Sequence, residues 1–234
     1  MFKKKITIIL STYNEHLAIE KTIDEIIKHI SNVEIIVVDD NSYDGTVEIL
    51  KRLESENIKI FVRKKAKGLA SAFLLGLINS SGDIIGWVDS NMTNVIKFFP
   101  NMIDELENND IVLLSRFINN GSDERNVVRK YASFFLNKIT KFLLKSNIND
   151  LSSGIFVMQK KVLLDVVPIA TGHGEFMIEL LHNAEKKGNK VKEIAYAQPN
   201  DEEGNSKSYP NIFKFMSLGF FYLIRIIQTL IRRN

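Results

Sequence analysis

The chain has 234 residues, a hydrophobic content of 45% and a formal net charge of +3, which is the balance of an ordinary globular protein. So small a net charge gives no argument for nucleic-acid binding, and the absence of cysteine excludes a disulfide framework, a thiolate metal site and a cysteine nucleophile. The first apolar run, residues 6–10, is too short for a signal peptide and predicts a strand.

Strands and helices alternate through the first half of the sequence. Short β-branched runs predict strands at residues 6–10, 33–38, 58–62, 84–88 and 111–114. The stretches between them predict helices at residues 16–30, 46–56, 67–79 and 95–107. The strand segments are almost entirely apolar, which is typical of strands covered on both faces. This alternation predicts an α/β fold with an open, mostly parallel sheet.

The second half predicts a more mixed arrangement. The predicted elements are a helix at 125–144, a strand at 154–159, a helix at 175–187 and a strand at 191–197. A polar, turn-rich stretch follows at 198–209, before a largely apolar C-terminal segment. Since no repeat or linker divides the chain, we predict one catalytic domain at residues 1–208 and a C-terminal helix within 209–234.

Polar clusters follow three of the predicted strands. They read STYNE at 11–15, DDNS at 39–42 and DSN at 89–91. The carboxyl ends of parallel strands meet at one edge of a sheet, where ligands bind. Each cluster alone is equally well explained by turn and helix-cap residues, but three at equivalent strand ends favour a shared site. The sequence contains no P-loop and no dinucleotide-binding fingerprint. Acidic residues at strand ends suit two other tasks, which are to accept hydrogen bonds from a ribose or a base, or to hold a hard cation on a diphosphate.

The segment DSN leaves two interpretations open. Asp89 ends an apolar strand, where an aspartate often holds a divalent metal. The position two residues on, where a second carboxylate would complete a clamp, is Asn91. The segment is therefore either a metal site that lacks one charge or a polar turn.

Seven segments, taken together, resemble family 2 glycosyltransferases. In chain order they are STYNE, VVDDNSYDGT, KGLASAFLLGL, SSGDIIGWVDSN, LLSRF, DLSSGIFVM and GNSK. The resemblance runs from about residue 6 to residue 207 and is strongest to the dolichyl-phosphate mannose synthase-like branch. It implies a GT-A fold and inverting transfer of a sugar from a nucleotide-diphosphate sugar, GDP-mannose or a UDP-sugar, to a polyprenyl or dolichyl phosphate.

The resemblance also implies roles for individual residues. The donor pocket would be lined by Thr12, Tyr13, Asn14, Glu15, Asp39, Asp40, Ser42, Asp89 and Ser90. Asp89 and Asn91 would hold Mg²⁺ or Mn²⁺. The acceptor phosphate would be bound by Arg116, Arg129, Ser133 and Lys207. Of these, Asp89, Arg116 and Arg129 are expected to be catalytic.

The chain departs from the family pattern in two places. Asn91 stands where the family usually has a second aspartate, which predicts a weaker metal site. The acidic segment NDEE at 200–203 stands where the family has a further arginine, which removes a positive charge near the transferred group.

Three functions remain open from the sequence. A lipid phosphate is already ionised and needs no general base. The four histidines show no spacing that indicates a general base or a pair of metal ligands. Transfer to a sugar hydroxyl is the alternative, with Glu175 or Glu179 as base. The third possibility, suggested by Asn91, is a sugar-nucleotide-binding protein without catalytic activity.

The C-terminal segment favours a membrane surface. Residues 212–231 are long enough to span a bilayer but contain Lys214, Arg225 and Gln228. Because the charges of this segment are all basic, we predict an interfacial helix on anionic lipid and a peripheral protein at the cytoplasmic face of the membrane. A homodimer contact is the second possibility and a transmembrane span the third.

Overall fold

The computed structural model describes residues 4–65, 67–199 and 212–232, and of residues 212–218 it describes the backbone alone. The strands are β1 Ile6–Thr12, β2 Val33–Asp39, β3 Ile58–Val62, β4 Ile84–Asp89, β5 Ile111–Ser115, β6 Ser122–Asp123, β7 Phe156–Gln159, β8 Val191–Ala195 and β9 Ala197–Gln198. The helices are α1 Ile19–His29, α2 Thr46–Leu53, α3 Leu69–Asn79, α4 Phe99–Glu105, α5 Val127–Leu144, α6 Lys160–Asp165, α7 Phe176–Lys186 and α8 Ile212–Ile231.

Seven strands form the central sheet, in the order β3-β2-β1-β4-β7-β5-β8. The four strands from β3 to β4 are mutually parallel, and β7 runs antiparallel between β4 and β5. Strands β4 and β5 therefore point the same way, and their carboxyl ends lie at the same edge. The predicted α/β fold with a mostly parallel sheet is confirmed.

Helices cover both faces of the sheet with apolar side chains. On one face, Phe73 of α3 contacts the rings of Trp87, Phe156 and Phe176. On the other, the buried residues Ile19, Ile23 and Ile26 of α1 pack against the sheet. Burial on both faces explains why the strand segments are almost continuously apolar.

Two predicted elements differ from the structure. The helix predicted at 95–107 is a 3-10 helix, Thr93–Phe98, followed by α4, because Pro100 has no N–H and fits only in the first turn of an α-helix. The strand predicted at 191–197 divides at Tyr196. There the chain leaves β5 and pairs with β6 instead, and the Tyr196 carbonyl accepts a hydrogen bond from Ser122.

Helix α8 packs on α7 and touches α5. None of the helices in the described part of the chain has the length and apolar character needed to cross a bilayer. The transmembrane alternative for residues 212–231 is therefore not supported. The division of the chain at residue 208 stays a prediction, since it falls outside the described residues.

Candidate active site

The register of the sheet brings the three polar clusters together. Thr12 lies opposite Asp39, and Ser11 lies opposite Asp89, so β1, β2 and β4 end at the same level. The residues predicted to bind the donor therefore lie near one another at the carboxyl edge of the sheet, and we call this set the predicted donor pocket. Their individual roles stay predictions.

Hydrogen bonds join the loops that follow β1 and β2. Asn14 and Asn41 adopt positive φ angles of 57° and 62°, a conformation that asparagine tolerates better than most residues. The Ser42 hydroxyl donates to Asp39 at 2.5 Å and accepts from the Asn14 amide at 2.8 Å. Burial raises the pKa of Asp39, and the bonds from Ser42 oppose that rise. The two loops thus form one rigid wall of the pocket.

A third loop, before α3, contacts the same pocket. Asp40 accepts a hydrogen bond of 2.9 Å from the Gly68 amide and forms an ion pair with Arg63. The Lys67 ammonium lies 4.8 Å from the centre of the Tyr13 ring. Arg63 and Lys67 are not among the site residues predicted from the sequence, although the basic run RKKAKG at 63–68 directly follows a predicted strand.

One polar atom in the pocket is buried without a hydrogen-bond partner. This is Oγ1 of Thr12, which is 4% exposed. A buried hydroxyl without a partner is costly unless something completes its bonding. The atom is therefore suited to contact a bound ligand.

Glu15 lies beside the DSN segment. Burial, and next the charge of Glu15, raise the pKa of Asp89 to about 6. The Nδ2 atom of Asn91 lies 3.5 Å from Oε1 of Glu15. Two carboxylates and the Asn91 amide therefore lie close together, where the sequence alone offered one carboxylate and an amide. The neighbouring residue Ser90 is buried, and its carbonyl accepts from Thr22.

These oxygens fit a divalent cation only in part. No group of three or more carboxylate or imidazole side chains in the described part of the chain could by itself hold a metal ion. Asp89, Asn91 and Glu15 nevertheless offer the hard oxygen donors that Mg²⁺ and Mn²⁺ prefer, and their mutual repulsion is what a cation relieves. The set suits a cation that takes its remaining ligands from a diphosphate.

Arg116 directly follows β5, and its side chain lies in a buried polar network. Its guanidinium makes two bonds of 2.7 Å to Asp150, one of 2.8 Å to the Ser152 hydroxyl and one of 3.1 Å to Gln198. Arg116 is 6% exposed and Asp150 is fully buried. Two strand spacings separate β4 from β5, so Arg116 lies about 10 Å across the sheet edge from Asp89. Its predicted contact with a phosphate must share the guanidinium with Asp150.

A cavity of about 380 Å³ opens beside Arg116. Its walls combine apolar, basic and polar side chains. They are Arg116, Phe117, Ile118, Gly121, Ser122, Asp123, Lys130, Tyr131 and Phe134. Of the residues predicted to bind the acceptor phosphate that the structure describes, only Arg116 lines it.

The other predicted acceptor residues lie around this cavity or outside the described chain. The Ser133 hydroxyl accepts a hydrogen bond of 2.9 Å from Arg125, which also pairs with Asp123. Arg129 is half-buried in the first turn of α5, where its amide donates to the capping Asn126. Lys207 falls outside the described residues. Lys130, one position from Arg129, is the additional cation that the sequence analysis missed.

Helix α5 carries its apolar side chains outwards. Its buried positions are Asn137, Thr140 and Leu144. Its exposed large residues, which we call the outer α5 face, follow helical spacing and are Val127, Val128, Tyr131, Phe134, Phe135, Ile139, Phe142 and Leu143. Residues 127–145 contain five basic residues and no acidic one. An exposed apolar patch with a single sign of charge is typical of an interaction surface.

Helix α8, like α5, buries polar side chains and exposes apolar ones. Arg225, Ile226 and Thr229 are its buried residues among those whose side chains are described. The outer α8 face is exposed and consists of Phe220, Phe221, Leu223, Ile227, Leu230 and Ile231. Arg225 is one of the basic residues on which the predicted contact with anionic lipid was based. It instead points inwards and forms a buried ion pair with Glu179 of α7 at 2.8 Å.

Solved structures share this fold. Glucosyl-3-phosphoglycerate synthase from Mycobacterium tuberculosis, in complex with Mn²⁺ and UDP-glucose, superposes with a TM-score of 0.75, at 18% sequence identity, over 99% of this chain and 80% of that one. The same enzyme with Mn²⁺, UDP and glucosyl-3-phosphoglycerate gives a TM-score of 0.74. At this level of identity the comparison supports the GT-A fold alone.

Sequence relatives are more specific. Dolichol-phosphate mannosyltransferase of Pyrococcus furiosus is 31% identical over 212 residues, which are 87% of this chain and 59% of that protein. The Saccharomyces cerevisiae protein of the same name is 28% identical over 74% of this chain and 68% of its own length. The model of the family described as glycosyl transferase family 2 matches residues 7–167. With the three polar clusters at one edge of a GT-A sheet, this match places the chain in glycosyltransferase family 2.

Proposed function

We propose that the chain transfers a sugar, with inversion, from a nucleoside-diphosphate sugar to a polyprenyl phosphate at a membrane surface. The cavity beside Arg116 is the observation that carries this proposal. Aromatic walls, together with Arg116 and Lys130, suit a phosphate attached to an apolar chain. The Tyr131 and Phe134 side chains belong both to the cavity and to the outer α5 face, so an acceptor could enter from that face. The names of the sequence relatives support the same substrate class.

The transfer needs charge control more than proton transfer. A phosphate oxygen of the acceptor attacks the anomeric carbon while the bond from that carbon to the donor diphosphate breaks. Phosphate monoesters are largely ionised near neutral pH, so no base has to remove a proton. Two anions must approach each other, however, and Arg116, Arg129 and Lys130 would reduce their repulsion. Lys207 remains a predicted fourth.

On the donor side, Asp89, Asn91 and Glu15 would hold Mg²⁺ or Mn²⁺ on the diphosphate. When bound, such an ion neutralises charge on the departing nucleoside diphosphate. The loops around Asp39 and Asp40 would orient the nucleoside, and Thr12 would complete its hydrogen bonding on the ligand.

The buried state of two glutamates argues against a sugar-hydroxyl acceptor. Glu179 is 1% exposed and pairs with Arg225 and Arg232. Glu175 is 3% exposed and accepts a bond of 2.9 Å from the His173 amide. Neither lines the cavity beside Arg116. The residues that the sequence offered as general bases are thus engaged elsewhere. A non-catalytic binder is the remaining alternative, and turnover decides it.

A transfer assay tests the proposal. The chain is incubated with Mn²⁺, with radiolabelled GDP-mannose or UDP-glucose, and with a short polyprenyl phosphate in detergent micelles. We expect labelled lipid from one donor, and none when the unphosphorylated polyprenol replaces the phosphate. Lys130→Ala should reduce transfer about tenfold or more, because a charge-assisted phosphate contact is lost. Lys138→Ala, on the same helix but outside the cavity lining, is the matched control. Donor binding without any transfer would identify a binder.

We further propose that the outer faces of α5 and α8 lie on anionic lipid, at the cytoplasmic face of the membrane. Their apolar side chains would enter the headgroup region while the basic residues contact phosphates. Phe135→Ser with Phe142→Ser should therefore reduce co-flotation with vesicles of phosphatidylglycerol and phosphatidylcholine. Ile78→Ser with Leu164→Ser, which change equally exposed apolar residues outside α5 and α8, is the control. If the wild type stays in solution at low salt and elutes as a dimer, the two faces instead join two copies.

A further inference from the structure

Arg225 fixes α8 to a loop at residues 171–175, between α6 and α7. Its Nη1 donates to Glu179 at 2.8 Å, and its Nη2 donates to the Thr171 carbonyl at 2.6 Å. A Cβ built on Gly174 would lie 2.8 Å from the Tyr222 hydroxyl, so α8 approaches the same loop a second time. Arg225 is 3% exposed, which makes these bonds part of the interior.

The opposite side of this loop supports the turn that precedes α3. The Gly172 carbonyl accepts a hydrogen bond of 3.4 Å from the Ala70 amide. A Cβ on Gly68 would meet that carbonyl at 3.0 Å, and a Cβ on Gly172 would lie 1.9 Å from Oε1 of Glu175. Both glycines have positive φ angles, 115° and 93°. The backbones can approach this closely because Gly68 carries no side chain, and the missing side chain of Gly172 leaves room for the Glu175 carboxylate beside the loop.

The turn before α3 is also a wall of the predicted donor pocket. The Gly68 amide donates to Asp40 at 2.9 Å, and the Gly68 carbonyl accepts from Arg63 at 3.0 Å. Consecutive carbonyls of the 171–175 loop thus face in two directions. That of Thr171 contacts α8, and that of Gly172 contacts the first turn of α3.

We infer that Arg225 is a positioning residue for nucleotide binding: it holds the 171–175 loop against the Gly68 turn, and so couples the position of α8 to the donor pocket. Without the guanidinium, the loop loses its bond to α8 and the Gly68 turn loses a rigid support. Because coupling is reciprocal, a bound nucleotide should in turn hold α8 more firmly. The inference rests on the donor half of the proposed function and is independent of the lipid acceptor.

Nucleotide affinity of Arg225 variants tests this coupling. Dissociation constants of GDP and UDP with Mn²⁺ are measured by calorimetry for the wild type, Arg225→Met and Arg225→Lys. We expect the better-bound nucleotide to bind about fivefold more weakly, or worse, to both variants. Arg232→Met is the matched control, because Arg232 donates to the same Glu179 but, among the described residues, to no atom of the 171–175 loop. Its affinity should equal that of the wild type.

Hydrogen exchange separates positioning from a loss of stability. In Arg225→Lys, which keeps the charge, amides 67–72 should exchange faster than in the wild type while those of β1 and β2 do not. In the wild type, nucleotide should slow exchange in residues 222–231. Equal affinities and equal exchange at 67–72 in Arg225→Lys would overturn the inference, even if Arg225→Met fails to fold. If neither nucleotide binds the wild type, the proposed function fails, and exchange at 67–72 still decides the coupling.

Discussion

Helices α1 and α5 are both amphipathic, but α1 buries mainly isoleucines whereas α5 buries two polar side chains beside Leu144. Helix α1 turns Ile19, Ile23 and Ile26 to the sheet and its charged residues to water. Helix α5 turns Asn137 and Thr140 inwards, and Phe135 and Phe142 outwards. The first helix is held by hydrophobic burial, while the second exposes the side chains from which such burial comes. A helix of the second kind needs other contacts to hold it, and another surface to cover it.

Those other contacts are directional polar bonds. Asn137 donates to the Ser152 hydroxyl at 2.8 Å and accepts from the Ser152 amide at 3.2 Å, and Ser152 in turn contacts Arg116. Arg225 plays the equivalent role in α8. Hydrogen bonds fix orientation more strictly than apolar packing does. The layer formed by α5 and α8 is therefore oriented from within by polar bonds and carries apolar side chains on its outer side.

Removing one phenyl ring from the core and one from the outer α5 face tests this difference most directly. Phe73→Ala should lower the free energy of unfolding by about 4 kcal/mol, because the ring is fully buried among aromatic neighbours. Phe142→Ala should change it by less than about 0.5 kcal/mol, because that ring is 82% exposed. Urea unfolding of both variants measures the difference. A large loss in Phe142→Ala would show that the outer α5 face packs within the chain.

The polar network under α5 should be nearly as sensitive as the core. Arg116→Met leaves the Asp150 carboxylate buried and unpaired, so it should cost about 3 kcal/mol of unfolding free energy. Adding Asp150→Leu should restore much of that stability, because no buried charge remains unpaired. Transfer to the polyprenyl phosphate should stay low in the restored double variant. Recovery of both stability and transfer would show that Arg116 is structural only.

Removing the charge of Asp89 should raise stability instead of lowering it, because a half-buried carboxylate without a bound cation destabilises the native state. Burial, and next the charge of Glu15, raise the pKa of the native Asp89 carboxyl from the ordinary value of 3.8 to about 6, so the native state holds more protons between these values. Stability of the metal-free wild type should therefore fall as pH rises through that window. In excess chelator at pH 7, Asp89→Asn should be more stable by about 1 kcal/mol, after allowance for solvent at this half-buried side chain. Below pH 4 the two should unfold alike, and a constant difference at all pH values would contradict the assignment.

The smallest effect is expected at position 91. Asn91→Asp adds a carboxylate beside Glu15 and Asp89, so Mn²⁺ should half-saturate donor binding at a concentration about three- to tenfold lower. Titration of Mn²⁺ in the presence of GDP or UDP measures this, with Asn94→Asp as a control for added charge nearby. Equal titration curves for wild type and Asn91→Asp would place the metal away from the DSN segment.

The sheet and the donor side of the site were largely predictable from sequence. Strands β1, β2, β4 and β5 bury both faces, and this leaves a nearly continuous apolar signal that, in β1, β2 and β4, ends where the polar clusters begin. The clusters ending β1, β2 and β4 could be expected to meet, because parallel strands share an edge. The proximity of Glu15 to Asn91 could not be expected, since it depends on how the β1 loop turns over the end of β4.

Sequence alone determined that this chain forms an α/β sheet with polar clusters at its carboxyl edge, because apolar periodicity and strand-end chemistry are local properties of the residues. Only the tertiary structure decided which side of α5 and α8 faces inwards, and that Arg225 points to Glu179 and Thr171 instead of to lipid. An amphipathic helix has the same pattern whichever face is covered. The choice depends on the partners that the fold brings to it, here Ser152, Glu179 and the 171–175 loop, which lie 15 to 54 positions away along the chain.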